Sequence, residues 1–222
     1  MTVIRCSAIL FDMDGVLVDS TPAVARVWSV WARKYGFDPD EVVRKAHGRP
    51  SIATIRELLP QGNHEAENRE VERLEIEDIT DVVALPGARD LLRVIPEARW
   101  NIVTSASRRL AEVRLRAAGL PVPKRLVTAS DLQRGKPFPD PYLKGAEVLG
   151  ISPADCVVAE DAATGVRSGK SAGARVLGLR TTSTDAELLT AGADWMADDL
   201  SALSLDRLEQ EAGLCFLLRA KK

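Results

Sequence analysis

Cysteine is scarce in this 222-residue chain: Cys6, Cys156 and Cys215 are too few and too scattered for a disulfide framework or a zinc cluster. An excess of either charge is missing too. Lys and Arg number 30 against 32 Asp and Glu, a net charge of −2, which leaves no electrostatic footprint for nucleic acid or an anionic membrane. No apolar run approaches the ~18 residues needed to span a bilayer. Asp12 and Asp14 interrupt the first apolar stretch, so the N-terminus does not read as a signal peptide. Internal repeats and low-complexity segments are absent. These absences leave the expectation of a reduced, cytoplasmic protein.

What is present suits an ordinary globular chain, 45% hydrophobic and 28% charged. At about 150 residues per domain, the length predicts one large domain or a core with a modest second unit. Apolar, β-rich runs recur at 7–11, 101–104, 125–128, 156–159, 175–179 and, more weakly, 194–197. Amphipathic helical stretches lie between most of them, at 110–118, 142–149 and 163–172, the first two closed by Gly119 and Gly150. Strands that are apolar almost throughout and alternate with helices predict a doubly wound parallel sheet covered on both faces.

Residues 20–85 read differently, as helices without a convincing strand. Ser20 or Thr21 can cap a helix with Pro22 in its first turn and an apolar stripe of Val24, Val27, Trp28, Trp31 and Tyr35. Asp38, Pro39 and Glu41 open a second helix with capping-box-like spacing. Acid-rich residues 64–81 are expected to present a solvated face. The expected organisation is therefore an α/β core of residues 1–19 and 86–222 with an inserted helical cap at 20–85. The 214–218 run fits either an added strand or a packed tail.

The first strand ends Phe11-Asp12-Met13-Asp14-Gly15. Carboxylates two apart at a strand end project to one side, where open α/β sheets take their ligands. A bare D-x-D-G also begins calcium loops, but Val16 and Val18 follow where oxygen ligands are needed. Three later strand ends add Ser105 with neighbouring backbone N–H groups, Lys136 in Gly135-Lys136-Pro137, and Glu160-Asp161. Singly, each has a bland reading as a helix cap, a solvated lysine or surface acids. Together they form a set that binds a hard divalent cation and a phosphate and leaves one acid free for attack or proton transfer. Phosphoryl transfer uses all of it.

In that order these motifs resemble those of the haloacid-dehalogenase-like hydrolases: Phe-Asp-Met-Asp-Gly-Val-Leu-Val-Asp-Ser at 11–20, Val103-Thr104-Ser105, Gly135-Lys136-Pro137, and Glu160-Asp161-Ala162-Ala163-Thr164-Gly165. The resemblance spans about residues 7–180. The helical insert is similar to the cap of the β-phosphoglucomutase and sugar-phosphatase branch, and the stretch after Lys136 looks most like glycerol-phosphate and 2-deoxyglucose-6-phosphate phosphatases. The resemblance implies a Rossmann-like core and hydrolysis of small sugar- or polyol-phosphate monoesters. It implies Asp12 as nucleophile and Asp14 as acid/base. Mg²⁺ is expected at Asp12, the Asp14 carbonyl and Asp161, with Glu160 touching the ion or lying beside it, and phosphate at Ser105, the Ala106 N–H and Lys136. Arg49, in the cap loop His47-Gly48-Arg49-Pro50-Ser51, is the candidate for substrate selection.

Thr164-Gly165-Val166-Arg167-Ser168-Gly169-Lys170-Ser171 nearly spells a P-loop, but Thr164 stands where the first glycine is needed. It is expected to be a helix. The enzymatic rival is a phosphoglucomutase-like isomerase, which in the related branch carries a histidine where this chain has Val24. A non-enzymatic phospho-acceptor or binding module is the rival from another class. Met13 between the acids and the long cap insertion speak against it. The expected partner is a small phosphorylated metabolite, with neither nucleic acid nor membrane involved.

Overall fold

The computed structural model describes residues 1–209 and 213–219. The chain opens with β1 (Thr2–Cys6) and β2 (Ala8–Phe11), whose four residues are all buried. A short β3 (Val18–Asp19) then leads into four helices: α1 (Thr21–Lys34), α2 (Pro39–Ala46), α3 (Ser51–Leu58) and α4 (His64–Glu77). The chain returns through β4 (Val83–Ala84), which pairs antiparallel with β3. Entry to and exit from the insertion thus run side by side. Beyond it follow α5 (Ala88–Val94), β5 (Trp100–Ile102), α6 (Arg108–Ala117), α7 (Asp140–Glu147) and β6 (Cys156–Glu160). Next come α8 (Ala163–Ser171), β7 (Arg175–Leu179), α9 (Asp185–Ala191), β8 (Trp195–Ala197), β9 (Leu203–Glu209) and β10 (Gly213–Leu218).

Five strands make a parallel sheet in the order β5-β2-β6-β7-β8. Apolar clusters cover both of its faces: Ile9, Phe11, Ile102 and Leu177 belong to one, Leu10, Val158, Val176 and Tyr142 to the other. Covering on both faces is why these strands are apolar throughout rather than alternating. Parallel strands end on one edge, so the loops after β2, β5, β6 and β7 meet there. The expected strand at 125–128 is reduced to a single bridge, Val103 to Val127, beside β5.

The four inserted helices bury an apolar cluster of their own: Val27, Trp28, Trp31, Val42, Ile55 and Val71. The fold is a doubly wound core with a helical cap. Asp38 caps α2 as its spacing predicts, accepting from the Glu41 N–H at 2.9 Å. Ser20 stands at the start of α1 without capping it, because its hydroxyl is used elsewhere. The 214–218 run is the middle strand of a three-stranded antiparallel sheet, β1-β10-β9. The near-P-loop is α8, with Lys170 paired to Asp194 at 2.8 Å. Among the described residues, no helix is long and apolar enough to cross a membrane.

Candidate active site

The Asp12 N–H continues the ladder beyond β2 by donating to the Ala159 carbonyl at 3.0 Å, which fixes its side chain at the sheet edge. The chain then doubles back, with the Gly15 N–H on the Val18 carbonyl at 2.8 Å and a φ of +78° at Gly15. The Thr181 hydroxyl after β7 holds the Gly15 carbonyl.

Lys136 is buried among carboxylates, with Nζ at 2.7 Å from Asp12 Oδ1 and 2.6 Å from Glu160 Oε1. Tyr142 OH donates to the same Glu160 oxygen at 2.8 Å, while the N–H groups of Asp161 and Ala162 donate to Oε2 at 3.0 and 3.1 Å. Both Glu160 oxygens are therefore already held by donors, and its first visible task is to anchor Lys136. Burial raises the Asp12 carboxyl well above the usual carboxylate range, with Lys136 opposing and Glu160 and Asp161 reinforcing. Burial also works against the Lys136 ammonium, but Asp12 and Glu160 outweigh it and raise its pKa.

Carboxylate oxygens of Asp12, Glu160 and Asp161 lie within 4.8 Å of one another. Asp161 Oδ2 is met by His47 Nε2 at 3.0 Å and by the Thr182 hydroxyl. Asp161 Oδ1 is buried with no hydrogen-bond partner among the described residues. Three acids against one ammonium, with a bare carboxylate oxygen, make a donor set that suits a hard divalent cation.

Asp14 diverges from Asp12. The Ser20 hydroxyl donates to its Oδ1 at 2.6 Å and Arg114 Nη1 to its Oδ2 at 3.1 Å. Arg114 also faces Glu75 of α4 at 3.5 Å. Asp12 and Asp14 border one cavity of about 880 Å³ between core and cap, shared with Ser105, Ala106, Arg49, His47, Glu75 and Arg114. Ser107, rather than Ser105, caps α6 by accepting from the Leu110 N–H at 3.3 Å, which leaves Ser105 facing the cavity. The Ala106 N–H, expected to meet a phosphate, donates to Thr104 Oγ1 at 3.1 Å. Arg49 reaches the cavity wall but is bridged to Glu57 at 2.8 Å.

The solvated face expected for 64–81 needs correction. Glu75 is only 7% exposed and Glu72 accepts from the Ser107 hydroxyl, so one side of α4 turns acids toward the core. Arg114, Glu75 and Thr182 carry no role in the sequence reading, and Ser20 only that of a helix cap. For Arg114 a signal exists: with Leu110, Ala111, Leu115 and Ala118 it falls on the apolar stripe of α6, where a solvated arginine has no place.

Comparison with known proteins follows the same lines. A family model described as haloacid dehalogenase-like hydrolase matches residues 6–173. Hexitol phosphatase A of Escherichia coli is 46% identical over 180 residues, 79% of this chain and 83% of that protein. Glycerol-1-phosphate phosphohydrolase 2 of Saccharomyces cerevisiae is 34% identical over 191 residues, covering 81% and 76%. Among solved structures, a HAD family hydrolase from Deinococcus radiodurans with bound phosphate and sodium superposes with a TM-score of 0.68 at 29% identity. That match covers 89% of this chain and 93% of the other.

Proposed function

The chain belongs to the haloacid dehalogenase-like hydrolases, and we propose that this phosphatase hydrolyses small sugar- or polyol-phosphate monoesters through an aspartyl-phosphate intermediate. The observation that carries the reading is the convergence of Asp12, Lys136, Glu160 and Asp161, with Asp12 at the wall of the cavity between core and cap. The hexitol and glycerol phosphatases to which the chain is similar support the substrate class.

In this reading an Asp12 carboxylate oxygen attacks phosphorus as the ester P–O bond breaks, and Asp14 gives its proton to the departing alkoxide. Water then attacks the aspartyl-phosphate, Asp14 takes up the water's proton, and the bond from Asp12 to phosphorus breaks to release phosphate. Lys136, held by Asp12 and Glu160, would turn an N–H toward a phosphoryl oxygen, alongside Ser105 and an Ala106 N–H released from Thr104. Asp12, Asp161 and the Asp14 carbonyl would hold Mg²⁺, with Glu160, whose oxygens already accept from Lys136, Tyr142 and two backbone N–H groups, beside them. Bound there, the ion offsets the repulsion between an anionic nucleophile and an anionic ester. Arg49 at the cavity wall is assigned to substrate contact, at the expense of its bridge to Glu57.

Two variants test the assignment against p-nitrophenyl phosphate and alkyl phosphates in Mg²⁺. Asp12→Asn should lose turnover while staying folded; more than a few per cent of wild-type activity would sink the nucleophile. Asp14→Asn should slow alkyl ester hydrolysis by about 10²–10⁴-fold. In single-turnover phosphorylation, the nitrophenyl ester, with its good leaving group, should suffer less. Equal damage to both esters removes the acid role.

A further inference from the structure

A loop of the cap and a loop of the core meet at Asp161. His47 and Gly48 lie between α2 and α3 in the cap, whereas Asp161 follows β6 in the core, 114 positions from His47. Three contacts close the seam between them. His47 Nε2 lies 3.0 Å from Asp161 Oδ2, and since a carboxylate oxygen only accepts, Nε2 carries the hydrogen. The Thr164 hydroxyl donates to the Gly48 carbonyl at 3.4 Å. Gly48, at a φ of +66°, passes so close to the core that a Cβ there would stand 2.8 Å from the Ala162 Cβ.

The two oxygens of Asp161 have different surroundings. Oδ2 accepts from His47 and from the Thr182 hydroxyl, one donor from the cap and one from the core. Oδ1 is buried and accepts from nothing among the described residues. With 1% of the side chain exposed, bulk water does not make up that loss, so Oδ1 lacks a partner that folding alone does not supply. A cation on Oδ2 would have to displace two hydrogen bonds; on Oδ1 it displaces none. The donors on Oδ2 therefore fix the carboxylate for the ion rather than compete with it, as hydrogen bonds to ligating carboxylates do in metal sites. One of those two donors belongs to the cap, and lifting the cap removes it.

We propose that His47 is a positioning residue for the metal, holding Asp161 from the cap so that Oδ1 is left to the cation, and that Mg²⁺ binding and cap closure thereby favour each other. The proposal rests on the Mg²⁺ assignment made above. Linkage makes the effect reciprocal: whatever factor the closed seam adds to Mg²⁺ affinity, bound Mg²⁺ adds to closure of the seam.

The test measures Mg²⁺ affinity without substrate, from the melting shift across a Mg²⁺ titration. It reads the seam by hydrogen exchange of peptides spanning the α2–α3 loop, with and without Mg²⁺. In wild type Mg²⁺ should slow that exchange. His47→Ala should weaken Mg²⁺ binding about 10–100-fold, the usual cost of losing a donor to a ligating side chain, and abolish the Mg²⁺-dependent protection of the loop. His47→Gln, which keeps an N–H near the position of Nε2, should recover much of both. Gly48→Ala keeps the imidazole but pushes the loop off Ala162, and should weaken Mg²⁺ binding as well. Thr182→Val removes the core donor to the same oxygen, so it should weaken Mg²⁺ binding yet leave the loop protected at saturating Mg²⁺. Unchanged Mg²⁺ affinity in His47→Ala overturns the proposal. Tighter binding there overturns it too, by making His47 a competitor of the ion. So does a wild type that binds no Mg²⁺ without substrate, or binds it with no change in loop exchange. Hydrolysis of p-nitrophenyl phosphate is scored separately. A wild type that binds Mg²⁺ as expected but cleaves no ester sinks the phosphatase reading alone, and an active wild type with unchanged affinity in His47→Ala sinks only this proposal.

Discussion

A methyl group on residue 15 would stand 2.0 Å from Asp161 Oδ2, and the φ of +78° there adds about 1–2 kcal/mol of backbone cost for any L side chain. Both penalties act at the same point, where the turn after Asp12 passes over the acid that has a bare oxygen. Gly15→Ala should therefore lower unfolding stability by at least about 1–2 kcal/mol in urea melts. It should also weaken Mg²⁺ activation, because Asp161 has to move. Wild-type Mg²⁺ dependence in a folded Gly15→Ala protein would mean that Asp161 yields without consequence. At this scale the acids and Lys136 are legible in the sequence because their spacing at strand ends is unusual for surface residues. Arg114 and Glu75 are not. A charged residue on a helix normally reads as solvated, and only a partner a hundred or so positions away in the chain reveals otherwise: Asp14 for Arg114.

Elements were legible where one local rule decided them. Continuous apolar runs marked the central strands, and Asp38 with Glu41 marked the start of α2. The rule failed where a distant group competed. Ser20 has the position of a helix cap, but its hydroxyl goes to Asp14, which holds the acid/base candidate against the first cap helix instead. The segment 125–128 has strand composition, but only one bridge joins it to the sheet. β10 was undecidable because its partner β1 lies some 200 residues upstream, with Ile4 opposite Phe216. Phe216 is fully buried in the cluster that also contains Ile9 and Leu91. Phe216→Ala should cost about 3–5 kcal/mol of stability. Below its melting point, kcat should stay at the wild-type level, since Phe216 does not line the cavity. A loss below about 1 kcal/mol would show that the antiparallel sheet is an appendage rather than part of the core.

For the molecule as a whole, the site is a place where folding stability and catalysis pull apart. Asp12, Glu160 and Asp161 are brought within 4.8 Å with a single buried ammonium between two of them, and the pKa of Asp12 rises because burial and its acidic neighbours disfavour its charge. Folding assembles this cluster from strand ends that are about 150 residues apart in the chain, so the unfolded state has no comparable site. A cation that binds only the native arrangement stabilises it by mass action, by about 2.7 kcal/mol at 100 times its dissociation constant. For a chain of this length that corresponds to a melting-temperature rise of about 5–10 °C. Mg²⁺ should therefore raise the melting temperature of the wild type, and EDTA should reverse the rise. Asp161→Ala should start from a melting point less burdened by repulsion and show little further shift with Mg²⁺, along with loss of turnover. Thermal melts of both proteins across a Mg²⁺ titration decide it. A full shift retained in Asp161→Ala would move the metal off this cluster. No shift in wild type at saturating activity would mean that the ion binds only with substrate, as part of the closed cavity rather than of the fold.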